Sequence, residues 1–464
     1  MQDSLIKELA AIVGPANLLT TPEERWGYAY DATDRAHMPD AVAVPGSAAE
    51  VAAIVRLANE RRFPVVPRGA GTGRSGGSVP IQGGVVLVLT RLNRILEISK
   101  NDLVAVVEPG VILTRLKQAV EAQGFYYPPD PASADFCTIG GNVAECAGGV
   151  VAVQYGVTRD YVLGLTVVLP TGELITTGTR TMKGVVGYDL TRLFLGSEGT
   201  LGVITRIILR LVSKPPARQT LAAGFGTLGA AAEAVSLILR SGLAPTALEF
   251  MDQVTLSCVR EMLPFELPEA TAALLLIAVD GQPQDVEART DHIADFCREQ
   301  GATPVLRAKT PEEAKRLWKA RKVISPALLK VKPHKVSEDV AVPLGAIPAL
   351  IAALQEISRR RGLIIPSYGH AGDGNMHVNV LYDHQVDRER QAVHLAVEDI
   401  FRVVRELNGT LSGEHGIGLT KAPYLGMELS DAAMALQRRI KQAFDPHNLM
   451  NPGKIFPAQV EGRR

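Results

Sequence analysis

Three glycine-rich segments set between apolar runs constrain this chain more than any other feature. The first, PRGAGTGRSGGS (67–78), follows the short apolar run PVVP and holds five glycines in twelve residues. The second, DPASADFCTIGGNVAECAGG (130–149), is built from small residues around Asn142. The third, GYDLTRLFLGSEGTLGVIT (187–205), contributes Gly196, Gly199 and Gly202. Glycine lets backbone N–H groups turn towards an anion and lets that anion approach closely. One such loop is equally well read as a tight connection between strands. Three of them would let one long, phosphate-bearing ligand lie against backbone on several sides, and a dinucleotide has that length. Two familiar phosphate signatures fail. No GK[ST] follows the glycines, so there is no P-loop. The GxGxxG spelled by Gly71, Gly73 and Gly76 runs into GGSVPIQGG (76–84) instead of a helix.

Around these loops strands and helices alternate. Residues 41–66 read strand, helix, strand, and GGVVLVL (83–89) and LVAVVEPGV (103–111) read as buried strands. TRLKQAVEAQG (114–124) is a helix closed by Gly124, and VLGLTVVLPTGELITTG (162–178) a hairpin about a Pro-Thr-Gly turn. The SKPP at 213–216 is the expected domain boundary. Beyond it, GTLGAAAEAVSLILRSG (226–242) and VEARTDHIADFCREQG (286–301) are helical, while ALEFMD and TAALLLIAVDG are strands. A last helix covers roughly 427–443, and the Pro-rich tail FDPHNLMNPGKIFP (444–457) is expected to be extended and to dock back. The expected class is α+β. The expected domains are 1–215, 216–440 carrying an antiparallel sheet, and a returning segment 441–464.

At 464 residues the chain exceeds one core. Lys plus Arg balances Asp plus Glu at 49 each, so no basic field calls for nucleic acid. The opening MQDSLIKELAAIV interleaves Asp3 and Glu8 with apolar residues and reads as an amphipathic helix, not a signal peptide. No apolar run is long enough for a transmembrane helix. Cys137, Cys146, Cys258 and Cys297 form no CxxC pair, which favours a reducing, cytoplasmic setting; attachment to the inner face of a membrane through partners stays open.

The segments GAGTGRSGG, TIGGNVAECAGG, GYDLTRLFLGSEGTLGVIT, GHAGDGNMHVN, GTLSGEHGIG and FDPHNLMNPGKIF, in this order and spacing, resemble the FAD-linked oxidases with a vanillyl-alcohol oxidase type FAD domain. The resemblance spans nearly the whole chain. Within that superfamily they look like the branch of glycolate oxidase FAD subunits and D-lactate dehydrogenases, with D-2-hydroxyglutarate dehydrogenases as close relatives. LKVKPHKVSEDVAVP (329–343) looks more like the glycolate and D-lactate group. The resemblance implies a two-part FAD-binding domain and a second domain that caps the flavin. It implies FAD held by Pro67, Arg68, Gly69, Ala70, Gly71, Thr72, Gly73, Gly76 and Gly77 of the first segment, with backbone from Arg68 to Thr72 at the pyrophosphate. Pro131, Thr138, Gly140, Gly141, Asn142 and Gly148 of the second segment would join them. So would Glu198, Gly199, Gly202 and Ile204 of the third, and Asn451 of the tail. Some members attach FAD through a histidine in the first loop; this loop has none, so the expected FAD is non-covalent.

Two short motifs remain. GHAGDGNMHVNV holds His370 and His377 beside glycines, and SGEHGIG holds Glu414 and His415. Taken alone these are turn histidines and a surface Glu-His pair. With the resemblance, His370, His377 and Glu414 form a two-nitrogen, one-oxygen set suited to zinc, manganese or iron(II) with positions open to substrate. On a strand, His377 and Asn379 face the same way, so Asn379 is a candidate for the same ligand. A metallohydrolase would use such a set too, but HExxH is absent and the glycine segments would lack a purpose.

The implied reaction oxidises a small D-2-hydroxy acid, with His415 as the candidate base. Arg321 of LWKARKVIS matches an arginine that grips the substrate carboxylate in relatives; the plain alternative is a solvated helix face beside Lys315, Arg316, Lys319 and Lys322. Relatives acting on 2-hydroxyglutarate carry a lysine two residues before the position of Asp339. Ser337 stands there and argues for a smaller acid. An iron–sulfur subunit or an electron-transfer flavoprotein is the implied electron acceptor. A homodimer, and a catalytically silent FAD-binding scaffold in a larger complex, stay open.

Overall fold

The computed structural model describes residues 2–457, which group into two compact units. One comprises the chain up to Ala147, Val157–Lys214 and the segment from His415 onward; the other comprises Gly148–Gly156 and Pro215–Glu414. The fold is α+β, as expected, but residues 415–440 group with the first unit and 148–156 with the second.

The first unit begins with strands β1 (Leu18–Leu19), β2 (Ala41–Ala43), β3 (Val65–Arg68) and β4 (Val85–Val88), ordered β1-β2-β4-β3. The pairs β2–β4 and β3–β4 are parallel. A parallel sheet is covered on both faces, which is why these strands read as unbroken apolar runs. Val42, Val66 and Val86 face one cluster. Ala41, Ala43, Val65, Val85 and Leu87 face another, with Val51, Ile54, Val55 and Ala58 of helix Ala48–Arg61. That helix starts where the Ser47 hydroxyl accepts the Glu50 amide, satisfying one of its unpaired N-terminal donors. Next come β5 (Ile95–Ser99), β6 (Val104–Val107), β7 (Phe125–Tyr126), β8 (Val162–Val168), β9 (Leu174–Gly178), β10 (Val203–Arg210) and β11 (Val212–Ser213). Five of them make an antiparallel sheet ordered β5-β6-β10-β8-β9, and the expected 162–178 hairpin is β8–β9.

The second unit is a seven-stranded antiparallel sheet ordered β15-β12-β14-β13-β17-β18-β16. Its strands are β12 (Ala217–Phe225), β13 (Ala247–Asp252), β14 (Ala273–Gly281), β15 (Val305–Arg307), β16 (His334–Ala341), β17 (Ser367–His370) and β18 (Asn375–Tyr382). Long helices such as Leu228–Arg240, Ile347–Arg361 and Asp387–Glu406 supply apolar stripes for its core. Helix Pro311–Lys322 is capped by Thr310 and contributes Leu317 and Ala320 to a cluster with Met251, Leu274, Leu276 and Tyr368. Most of these elements follow from the apolar pattern. The pairing of β13 with β17 and of β16 with β18 does not.

Candidate active site

Residues directly opposite in antiparallel strands share a sheet face, and alternate residues along a strand share it too. The register pairs Glu249 with His370, His370 with Asn375, Tyr368 with His377, His377 with Asp339 and Asn379 with Ser337. These rows bring Glu249, His370, His377, Asn379, Asp339 and Ser337 to one face of the second unit. His370 and His377 lie on the two strands of one hairpin, joined by the Ala371–Gly374 turn. Their rings stand nearly perpendicular, 5.1 Å apart.

Glu414 reaches this face through a loop that Asp339 fixes. One Asp339 oxygen accepts the amides of Gly413 and Glu414 at 2.8 and 2.6 Å. Glu414 Oε1 then lies 3.6 Å from His370 Nε2 and 3.5 Å from His377 Nε2. Two ligands about 2.0–2.2 Å from a tetrahedral ion sit roughly 3.3–3.6 Å apart, so this spacing suits three atoms converging on one cation. The three ligand atoms all lie within 4.8 Å of one another.

Glu249 was not anticipated. It is fully buried, its Oε1 lies 2.6 Å from His370 Nδ1, and its Oε2 accepts Arg321 Nε at 2.5 Å. The signal was present: two carboxylates, Glu249 and Asp252, stand inside the buried strand ALEFMD, where ionisable groups rarely stand without partners. Burial alone would raise the Glu249 pKa, yet Arg321 and His370 overcome it and bring it to about 2. Burial disfavours a charged His370 ring, but Glu249 and Glu414 outweigh it and hold its pKa well above the ordinary value. Burial also lifts the Asp373 carboxyl in the hairpin turn to about 6. Two imidazole nitrogens and one carboxylate oxygen, His370 Nε2, His377 Nε2 and Glu414 Oε1, are a donor set that fits a divalent ion.

Arg321 is not on a solvated face. It is 5% exposed, lies over the Tyr368 ring at 4.7 Å, and its buried Nη2 has no hydrogen-bond partner among the described residues. Asn379 is fully buried; its Oδ1 accepts the Ser337 hydroxyl at 2.7 Å and its Nδ2 has no partner among the described residues. Unsatisfied buried donors cost about 1–3 kcal/mol each, so both point to a polar ligand. Lys335 donates to Ser325, both to its carbonyl and, at 2.6 Å, to its hydroxyl.

The glycine segments lie in the first unit. β3 ends at Arg68, whose Nη1 donates to the Tyr30 carbonyl at 2.7 Å, and Gly69 to Gly77 follow. A Cβ on Gly69 would lie 2.3 Å from Thr138 Oγ1, so the first and second segments touch and no side chain fits between them. Thr138 Oγ1 also accepts the Gly141 amide, capping the short helix that holds Gly140, Gly141 and Asn142. The third segment is tied in by Asn451, whose Nδ2 donates to Gly77 O at 2.8 Å and Glu198 O at 2.7 Å. Glu198 accepts the amides of Ile417 and Gly418, both at 2.8 Å, and its pKa is raised chiefly by burial. The buried Ser75 Oγ and Asn142 Nδ2 of these segments have no hydrogen-bond partner among the described residues. A glycine-lined cradle with unfilled polar atoms fits a phosphate-bearing cofactor. Gly148 groups with the second unit, whereas Pro131, Gly199, Gly202 and Ile204 lie in the first, and so does His415.

Residues 39–178 match the family model described as FAD binding domain, and 214–455 the one described as FAD linked oxidases, C-terminal domain. The chain is 43% identical to the glycolate oxidase subunit GlcD of Bacillus subtilis, over 98% of this chain and 97% of that protein. It is 38% identical to a D-lactate dehydrogenase of Anaerostipes hadrus, over 90% and 89% of the two chains. With a D-2-hydroxyglutarate dehydrogenase of Stutzerimonas stutzeri the identity is 34%, over 98% and 99%. In fold it is similar to p-cresol methylhydroxylase, with a TM-score of 0.81 at 18% identity over 99% of this chain and 98% of that one. Among the described residues no helix is long and apolar enough to cross a membrane.

Proposed function

The chain belongs to the FAD-linked oxidase family, and from that premise we propose that it oxidises a small 2-hydroxy acid, D-lactate or glycolate, to the 2-oxo acid. The observation that carries this reading is the convergence of His370 Nε2, His377 Nε2 and Glu414 Oε1 on the sheet face that also holds buried, unfilled donors of Arg321 and Asn379.

FAD when bound supplies the hydride acceptor, its N5, and a zinc, manganese or iron(II) ion held by His370, His377 and Glu414 would supply Lewis acidity towards the hydroxyl. The protein's own groups do the rest. Arg321 binds the substrate carboxylate through the guanidinium edge that Glu249 leaves unused. Glu249 holds that guanidinium still and at the same time orients His370. Asn379 Nδ2 donates to a substrate oxygen, with Ser337 holding the amide in place. His415 is the base in this reading and takes the hydroxyl proton while the α-carbon gives up its hydride. The alcohol loses one proton and one hydride, and the 2-oxo acid remains.

Arg68 to Thr72 would meet the pyrophosphate of a non-covalent FAD. Pro67, Gly73, Gly76, Gly77, Pro131, Thr138, Gly140, Gly141, Asn142, Gly148, Glu198, Gly199, Gly202 and Ile204 would line its other contacts. Asn451 would act through the segments it ties together, because its Nδ2 is committed to them. The electrons would pass to a partner, an iron–sulfur subunit or an electron-transfer flavoprotein; the Bacillus relative is itself named a subunit. The expected setting is cytoplasmic, or the inner face of a membrane through such partners.

D-2-hydroxyglutarate is the second reading, favoured by the Stutzerimonas relative. Ser337 donates to Asn379 and adds no cation for a second carboxylate, which favours the smaller acid. A dye-linked assay over D-lactate, L-lactate, glycolate and D-2-hydroxyglutarate tests the proposal. D-lactate or glycolate should give the highest kcat/KM. A preference for D-2-hydroxyglutarate would favour the second reading, and turnover of none would favour a scaffold subunit.

A further inference from the structure

We propose that His334, Asp383 and His384 form a second site for a divalent transition metal, at the edge of the seven-stranded sheet. β16 is the outermost strand on its side, and its first residue, His334, pairs with Tyr382, the last residue of β18. Asp383 and His384 are the next two residues, so strand pairing alone brings all three to one corner. His384 Nδ1 lies 2.7 Å from His334 Nε2 and 3.2 Å from His334 Nδ1, with the rings at 86°. The His384 amide donates to His334 Nδ1 at 3.4 Å, which leaves His334 Nε2 to meet His384 Nδ1, and either a shared proton or a metal can lie between those two nitrogens. A carboxylate oxygen of Asp383 stands within 4.8 Å of both ligand nitrogens.

Two imidazoles and one carboxylate favour zinc, nickel or copper over magnesium or calcium. Tetrahedral ligand nitrogens sit roughly 3.3 Å apart, so the rings would separate by a few tenths of an ångström. His384 is exposed and free to make that adjustment. The turn beneath is already fixed. Asp383 Oδ1 accepts the Gln385 amide at 3.0 Å, and Glu389 accepts the Asp383 amide and Lys332 Nζ, each at 2.7 Å.

The site is separate from the one above. His334 has opposite parity along β16 to Ser337 and Asp339, so it leaves the face that carries His377. An edge strand has a neighbour on one side only. A metal here would clamp the start of the strand whose Asp339 holds the Glu414 loop.

The test is zinc stoichiometry on the chelator-treated, FAD-loaded full chain, by equilibrium dialysis and metal analysis, for wild type, His384→Ala, His377→Ala and the double variant. Circular dichroism and flavin content establish folding; the exposed His384 should tolerate alanine. The expected result is the loss of one zinc equivalent in His384→Ala relative to wild type, and again in the double variant relative to His377→Ala. Equal zinc in wild type and His384→Ala would overturn the proposal. The difference between wild type and His377→Ala reports separately on the first cluster.

Discussion

Glu249 joins the two halves of the candidate active site: one of its oxygens lies 2.6 Å from His370 Nδ1 and the other accepts Arg321 Nε at 2.5 Å. A carboxylate behind a metal-binding histidine fixes its tautomer and raises its basicity. The same side chain aims the guanidinium proposed to hold the substrate.

Glu249→Gln keeps the shape and removes the charge. We expect metal affinity to fall by roughly 10–100-fold, the range for loss of such a partner. Turnover should recover in part at high metal concentration. Metal titration of the chelator-treated variant checks this, and unchanged affinity would show that Glu249 only packs.

Arg321→Lys keeps the positive charge beside Glu249 and loses the planar fork. A hydrogen bond to a charged group contributes about 1.5–3 kcal/mol, so kcat/KM should fall by roughly 10–100-fold, with metal and FAD content unchanged. Steady-state kinetics with D-lactate or glycolate decide it. An unaltered kcat/KM would remove Arg321 from the substrate site.

Asn451→Ala leaves the Gly77 and Glu198 carbonyls, now tied by one amide, without that donor. Each unsatisfied buried group costs about 1–3 kcal/mol, and the segments expected to hold FAD would loosen. FAD should dissociate more readily from this variant, measured as free flavin after dilution, and addition of excess FAD should restore turnover.

Asp252 supplies a pH signature away from the metal ligands. It accepts the Thr255 amide at 2.9 Å and the Ser367 amide at 2.6 Å, and burial lifts its pKa from 3.8 to about 6. A carboxyl raised on folding binds its proton more tightly in the native state, so its contribution to stability falls as pH rises from about 4 to about 6. The shift corresponds to about 3 kcal/mol between those limits. Asp252→Asn cannot titrate. Its melting temperature relative to wild type should therefore be higher at pH 7 than at pH 4. The same difference at both values would contradict the assignment.

Much of this was legible in the sequence, for local reasons. The helix Ala48–Arg61 and strands β3, β4, β8 and β9 follow from apolar periodicity and turn residues. His370, His377 and Glu414 stood out as polar residues among glycines, and only the family resemblance grouped them as one set. Glu249 and Asp339 were missed because their roles depend on strand register. Glu249 meets His370 across 121 residues, and Asp339 meets Glu414 across 75. No local pattern encodes which strand lies beside which. The grouping of 415–440 with the first unit was hidden likewise, since the Glu198 carboxylate binds the Ile417 amide across 219 residues.

The most direct test is anaerobic reduction of the protein-bound flavin by D-lactate and by glycolate, before and after removal of the metal. The account predicts that one of these acids bleaches the oxidised flavin, that chelation abolishes bleaching, and that added zinc, manganese or iron(II) restores it. Flavin that stays oxidised with both acids in the metal-loaded protein, or that is reduced equally fast with no metal bound, would contradict it.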